Sequence, residues 1–272
     1  MAKKLRIGII GAGGIGRRHA RAYMSLPNVV ITGVCDIVPG RANEFIVREG
    51  IENARGFSDL NDLLEAGVDA VSVCTPNVAH HDATVAALEA GAHVLVEKPM
   101  AVTLDQAVSM VRAARKAGRI LTVGFQTRYD PNTQMLNELV QAGVLGDVYY
   151  VETGGGRRRG MPGGTFIRKE TAGAGAVADV GCYALDLVME ALGHPRPLTA
   201  SAATYNHFGT SAKYHPEAEH FEVEDFGCAF VRFEGGLTMV FKTAWAMHMD
   251  SLGAMLFLGT EAGLKLTPAG SG

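Results

Sequence analysis

Residues 5–20 read LRIGIIGAGGIGRRHA, and this stretch decides the fold. Leu5–Ile10 is a short apolar run of strand length, and 14–26 reads as a helix with Ile15, His19, Ala22, Tyr23 and Leu26 on one face. Gly11-x-Gly13-x-x-Gly16 joins the two. In such a junction the first glycine allows a tight turn and the second lets a pyrophosphate approach the backbone. The third packs helix on strand, and the helix N-terminus turns its unpaired N–H groups toward the phosphates. A glycine-rich turn alone is weak evidence. Here a second strand, 29–36, ends in Asp36, 20 residues beyond Gly16. A carboxylate at that place accepts both ribose hydroxyls and repels a 2′-phosphate. The pattern predicts a dinucleotide site made by Gly11, Gly13, Gly14, Ile15, Gly16 and Asp36. NAD is preferred to NADP, a preference that nearby Arg41 weakens.

The strand–helix rhythm continues to residue 125. Helices are expected near 41–49, after a Ser58 cap with Leu60, Leu63 and Leu64 inward, up to Ala90 with Gly91 behind it, and from Thr103 to Gly118. Thr103 and Gln106 have the spacing of a capping box. Strands are expected at 69–75, 93–97 and 119–125. This alternation implies a parallel sheet with helices on both faces. The pattern then changes. Asp130-Pro131 starts a helix as N-cap and N1. Alternating strands follow at 148–153, 198–207, 222–233, 237–248, 254–258 and 264–267, with hairpin turns at 234–236 and 260–263 and one helix at 178–192. The fold class is therefore α/β: a doubly wound Rossmann domain over 1–125, then an α+β domain with an open, mostly antiparallel sheet over 126–272.

Composition supports this division. At about 150 residues per domain, 272 residues suggest two domains. With 47% hydrophobic and 19% charged residues the chain is not disordered. Lys and Arg number 25 against 28 Asp and Glu, so there is no basic footprint for nucleic acid or anionic lipid. No apolar run reaches the roughly 18 residues of a membrane span. The basic-then-apolar start is unlike a signal peptide, because glycines dilute it and Arg17, Arg18 and His19 follow. Cys35, Cys74, Cys182 and Cys228 are widely spaced, and the first two lie in apolar strands as buried thiols. A reducing cytoplasm fits. His215, Glu217, Glu219 and His220 lie in a polar loop without the spacing of a zinc site, so no metal is expected.

Two more segments end strands on the ligand-binding edge of the first sheet. Thr75-Pro76-Asn77-x-x-His80 follows one strand, and Glu97-Lys98-Pro99 follows the next. Lys98 there faces a nicotinamide ribose or a substrate hydroxyl.

With these motifs in view, the chain resembles the glucose–fructose oxidoreductase / inositol dehydrogenase (Gfo/Idh/MocA) family. The resemblance lies in GIIGAGGIGRRHA, CTPNVAHHDA, VEKPMA, GFQTRYDP and GAGAVADVGCYALD, and it covers nearly the whole chain. It implies a Rossmann domain followed by an open-sheet domain, and NAD(P)-dependent redox chemistry on a small-molecule sugar, glycoside or cyclitol. It also implies a cis bond before Pro99 and a catalytic Lys98. The second-domain motif, commonly D-x-G-x-H-x-x-D, maps onto Asp179, Gly181, Tyr183 and Asp186. Tyr183 stands where the family usually has histidine, as in the branches that use tyrosine as acid/base. A phenol ordinarily titrates near about pH 10, and it serves as a base when a cation such as Lys98 favours phenolate. Helical spacing of i−4 and i+3 would turn Asp179 and Asp186 to the side of Tyr183. Arg128, Tyr129, Arg157 and Asp186 are the expected substrate contacts. Trp245 is expected to pack in a strand.

Members of the family usually continue for some tens of residues beyond GTEAGLKL, so the second domain is expected either to be compact or truncated or to have its tail outside this sequence. A homo-oligomer, dimer or tetramer, is expected where the sheet is complete. Two other functions fit the same motifs: a glycosidase- or lyase-like relative that regenerates its NAD without net redox, and a non-catalytic cofactor-binding regulator.

Overall fold

The computed structural model describes residues 4–250 and 252–266. The chain divides into two compact units, Met1–Gly124 and Phe125–Gly272. Thr267, the expected end of the last strand, lies outside the described residues.

The first unit runs β1 (Leu5–Ile10), α1 (Gly14–Met24), β2 (Val29–Cys35), α2 (Arg41–Glu49), β3 (Arg55–Phe57), α3 (Leu60–Glu65), β4 (Ala70–Val73), α4 (His80–Glu89), β5 (His93–Val96), α5 (Leu104–Ala117) and β6 (Leu121–Val123). The sheet order is β3-β2-β1-β4-β5-β6 and every pairing is parallel. Strand order reverses between β1 and β4, and the crevice beyond their carboxyl ends is where such sheets bind ligands. Alternation along β1 feeds two cores. Ile9 joins Ala20, Ile31, Val34 and Phe45 under α1 and α2, whereas Ile10 joins Leu63, Val73, Leu88 and Met110 under α3, α4 and α5.

Three local details differ from the sequence reading. The inward stripe of α1 is Gly16 and Ala20, with His19 and Tyr23 half-buried, while Ala22 is exposed and Leu26 lies beyond the helix. Small residues line this stripe because α1 sits close on the sheet. Asp59, not Ser58, caps α3, its Oδ1 accepting from Asn61 N at 2.7 Å. Thr103 caps α5, but Gln106 Oε1 has no partner among the described residues, so the capping box has one arm.

The second unit runs α6 (Pro131–Gln141), β7 (Val148–Glu152), α7 (Lys169–Ala172), α8 (Ala176–Asp179), α9 (Gly181–Ala191), β8 (Pro197–Tyr205), β9 (Phe226–Phe233), β10 (Thr238–Ala244), β11 (Met255–Gly259) and β12 (Gly263–Leu266). The sheet order is β12-β11-β7-β10-β9-β8, with β7 and β10 parallel and the other pairs antiparallel. Leu136 of α6 and Leu187 and Val188 of α9 pack on Val151, Met239, Phe241 and Phe257 of one sheet face.

The expected helix 178–192 is two helices. It breaks at Val180, because Asp179 is drawn to Trp245 and Val180 packs into the Trp245 cluster with Ile167, Phe221 and Val223. These tertiary contacts outweigh helical continuity. Among the described residues no single helix is long and apolar enough to cross a membrane.

Candidate active site

The glycine motif builds a cradle with no room for side chains at its base. Gly11 has φ +101°, and a Cβ there would stand 2.5 Å from Cys74 O; at Gly16 it would stand 2.2 Å from Gly11 O. Over Gly13 and Gly14 a Cβ would meet nothing within 4 Å, so the N-terminus of α1 is open to a ligand. Gly13 provides no side-chain cap, and no acidic residue occupies the first turn. The first N–H groups of α1 therefore face outward with the positive end of the helix dipole, as an anion requires.

Asp36 is buried beside the cradle. Its Oδ2 accepts from Ala12 N at 3.0 Å and its Oδ1 from Val38 N at 2.9 Å, while Arg41 Nη1 lies 3.6 Å away. The carboxylate thus braces the glycine turn and keeps further lone pairs for hydroxyl donors. At the end of β4, Thr75 Oγ1 is buried with no partner among the described residues. Pro76 and Asn77 begin the 3₁₀ turn that leads into α4. An open helix terminus, a ribose-type carboxylate and an orphaned hydroxyl on one sheet edge fit a bound dinucleotide.

His80 stands behind this edge. It is 1% exposed, with Nδ1 2.7 Å from Pro99 O and Nε2 3.0 Å from Thr75 O. It ties the loop after β4 to the loop after β5. Burial holds its pKa below the ordinary value, against the two carbonyls that act to raise it. Glu97, half-buried, is the other group. Its Oε1 receives a hydrogen from His19 Nε2 at 2.9 Å, and its Oε2 accepts from Lys98 N at 3.1 Å. His19 Nδ1 meets Ser72 Oγ at 3.0 Å, and Tyr23 OH meets the same oxygen at 2.7 Å. Burial pushes the Glu97 carboxyl up, but His19, the Lys98 amide and the Lys98 charge together hold it below the ordinary value. A chain of polar contacts from α1 thus fixes the backbone at Lys98, and the Lys98–Pro99 bond is cis, as the resemblance implies.

A pH dependence follows. The folded state resists the proton that an unfolded histidine takes up below about pH 6.5, so His80 lowers stability as the pH falls through that range. Glu97, depressed in the fold, contributes stability above about pH 4.5 that is lost at lower pH. Urea unfolding should give a lower free energy at about pH 5.5 than at about pH 7.5, with a flatter slope in His80→Gln. A wild-type stability that does not change over this interval would contradict the assignment.

In the second unit, Tyr183 lies in the first turn of α9. The Phe125 ring meets it edge-on at 6.2 Å, and Gln126 Nε2 approaches its hydroxyl at 3.5 Å. The 126–129 turn places both neighbours. Arg128 gives Nε and Nη2 to Asp186 at 2.8 and 2.6 Å, and Nη1 reaches Glu190 at 2.9 Å. Arg128 and Asp186, both expected substrate contacts, are thus each other's partners and pin this turn to α9. Tyr129 is 79% exposed. Arg157 is exposed in the loop after β7, with Nη1 on Gly160 O at 3.2 Å.

Asp179 does not share a regular helical face with Tyr183 and Asp186, because the helix breaks between them. Its Oδ2 accepts from Trp245 Nε1 at 2.8 Å. Trp245 lies just after β10 rather than within a strand, fully buried, and its backbone N donates to Asp225 O at 2.8 Å. A buried indole N–H needs an acceptor, which is the sequence-level signal for such a tie. His19 and Gln126 were also absent from the expected site. His19 follows Gly16 by one turn, so it points down α1 toward the sheet edge. Gln126 had no signal apart from the GFQTRYDP segment.

Comparison with known proteins adds the following. The family model described as "Oxidoreductase family, NAD-binding Rossmann fold" matches residues 5–125, and the "GFO/IDH/MocA C-terminal domain" matches residues 133–265. D-glucoside 3-dehydrogenase of Escherichia coli (strain K12) is 36% identical over 274 residues, covering 97% of this chain and 78% of that protein. An inositol 2-dehydrogenase/D-chiro-inositol 3-dehydrogenase of Lactiplantibacillus plantarum is 37% identical over 144 residues, covering 52% of this chain and 41% of that protein. The crystal structure of GenD2 from gentamicin A biosynthesis in complex with NAD superposes with a TM-score of 0.84 at 28% identity, covering 97% of this chain and 72% of that one.

Proposed function

Because this chain belongs to the GFO/IDH/MocA oxidoreductase family and is an NAD(P)-dependent dehydrogenase acting on CH–OH groups, we propose that its substrate is a pyranose sugar or glycoside, oxidised at a ring hydroxyl. The observation that carries this reading is the span of the match. The glucoside 3-dehydrogenase aligns over 97% of the chain, second unit included, whereas the inositol dehydrogenase aligns over 52%. The second unit is where the expected substrate residues lie, so likeness there bears on substrate.

NAD, when bound, accepts the hydride released from the carbinol carbon. The chain's own residues manage the proton. Tyr183 takes it from the reacting hydroxyl, which makes the phenol the acid/base of the reaction. Lys98 supplies a positive charge that favours phenolate and the developing alkoxide. Asp179, held by Trp245, orients that chemistry from the last residue of α8. Tyr129 and Arg157 are the exposed side chains best suited to meet the remaining hydroxyls.

Steady-state assays with NAD and matched concentrations of methyl glucosides, glucose and myo-inositol test the reading. The expected result is a kcat/KM for the pyranosides at least about tenfold above that for myo-inositol, a preference of the size a few hydrogen bonds provide. Preference for the cyclitol would contradict it.

A further inference from the structure

Beside the Trp245 segment the second unit holds a cavity of about 350 Å³, lined in part by Arg158, Arg159, Phe208, Tyr214, Glu217 and His248. Ala246, the residue after Trp245, also lines it. Three rings form a tight group: Phe208 and His248 meet at 4.6 Å, Tyr214 and His248 at 5.3 Å, and Phe208 and Tyr214 at 5.4 Å. His248 has φ +56°, a left-handed backbone uncommon for a residue with a side chain.

The charges are arranged unevenly around these rings. Arg159 lies over the Tyr214 ring at 5.4 Å, and no carboxylate among the described residues pairs with it. Lys213 lies over the same ring at 5.0 Å. The cation–π contact pre-sets the guanidinium, while its N–H fork remains available for a planar or tetrahedral oxyanion. Arg158 gives Nε to Asp250 at 2.8 Å, so it is held beside the cavity. The acidic wall residue, Glu217, turns its Oε1 to Gly164 N at 3.0 Å. A pre-positioned arginine, a second one braced beside it and aromatic walls suit an anionic group carried on a sugar ring.

We propose that this cavity binds the phosphate monoester of a phosphorylated sugar, with Arg159 as its principal ligand and Arg158 as support. The proposal rests on the pyranose reading above and deepens it: the phosphate sits on a carbon away from the hydroxyl that is oxidised. The walls of Phe208, Tyr214 and His248 give the sugar an apolar surface to lie against.

Calorimetric titration of the NADH-loaded full chain with glucose 6-phosphate, glucose and inorganic phosphate tests it without turnover, and the same titrations on the nucleotide-free chain keep it separate from the dehydrogenase reading. The expected result is at least tenfold tighter binding of glucose 6-phosphate than of glucose, with inorganic phosphate competing. That advantage should fall below twofold in Arg159→Gln and be partly kept in Arg159→Lys. Both positions are exposed, so these variants should fold. Equal binding of the two sugars by the wild type overturns the proposal. So does an undiminished preference in Arg158→Gln/Arg159→Gln, or phosphate binding that glucose 6-phosphate does not displace.

Discussion

Tyr183→Phe is expected to lower kcat and kcat/KM together by about 10²–10⁴, the usual range for loss of a general acid/base. The change removes one oxygen and keeps the ring that packs edge-on against Phe125, so the fold of α9 should survive. NAD affinity should stay within about twofold of wild type, because the proposed dinucleotide site is the first unit's glycine cradle with Asp36. On the proposed mechanism Lys98→Met should act on the same step, since there Lys98 is the cation that favours phenolate. The double variant should therefore be little slower than the slower single variant, as for residues that work as one unit. The pH profile of kcat/KM should lose its basic-group limb in Tyr183→Phe. If Tyr183→Phe retains wild-type kcat, the proton passes to another group, and Asp179 is the next candidate.

Arg128→Met carries the largest expected effect on stability. Asp186 is almost fully buried and takes two hydrogen bonds from Arg128, which also reaches Glu190. Asp186 and Glu190 hold the Arg128 guanidinium above its ordinary pKa, with the Asp186 hydrogen bond first among the causes. Methionine preserves most of the stem packing but leaves the Asp186 carboxylate without its partner. Breaking one side of such a pair should cost about 2–4 kcal/mol, with partial exposure of Arg128 placing it below the fully buried limit. Arg128→Met/Asp186→Asn should recover part of that loss, since it removes the stranded charge. Urea unfolding of the three variants measures both. An Arg128→Met variant as stable as wild type would mean that Asp186 finds water or another donor.

What the sequence made legible is what depends on local spacing. The junction at Gly11–Gly16, the carboxylate at Asp36, the cap at Asp130 and the hairpin turns at 234–236 and 260–263 each follow from a few neighbouring residues, and each is present in the fold. The alternation of strand and helix up to residue 125 carries the parallel pairing of the first sheet with it.

What stayed hidden depends on contacts between residues far apart in the chain. Asp179 and Tyr183 have helical spacing, and only the Trp245 side chain, 66 residues away, shows why the helix breaks between them. Arg128 and Asp186 each suit a sugar hydroxyl when read singly; their separation of 58 residues hides that they bind each other. His19 reads as an ordinary helix residue until the sheet brings Ser72 and Glu97 to its two nitrogens. Periodicity says which face a residue shares, but not which polar partner waits on that face.

The central claim, that this chain oxidises a sugar hydroxyl with net transfer of hydride to NAD, is tested most directly by following NADH absorbance and sugar products in one reaction. NAD, the enzyme and a panel of glucosides, glucose, glucose 6-phosphate and inositols are the components. The expected result is NADH accumulating in step with an oxidised sugar for at least one pyranose, and both products forming far more slowly with Lys98→Met. Glycoside cleavage without accumulation of NADH, or NAD binding with no turnover of any member of the panel, would contradict it.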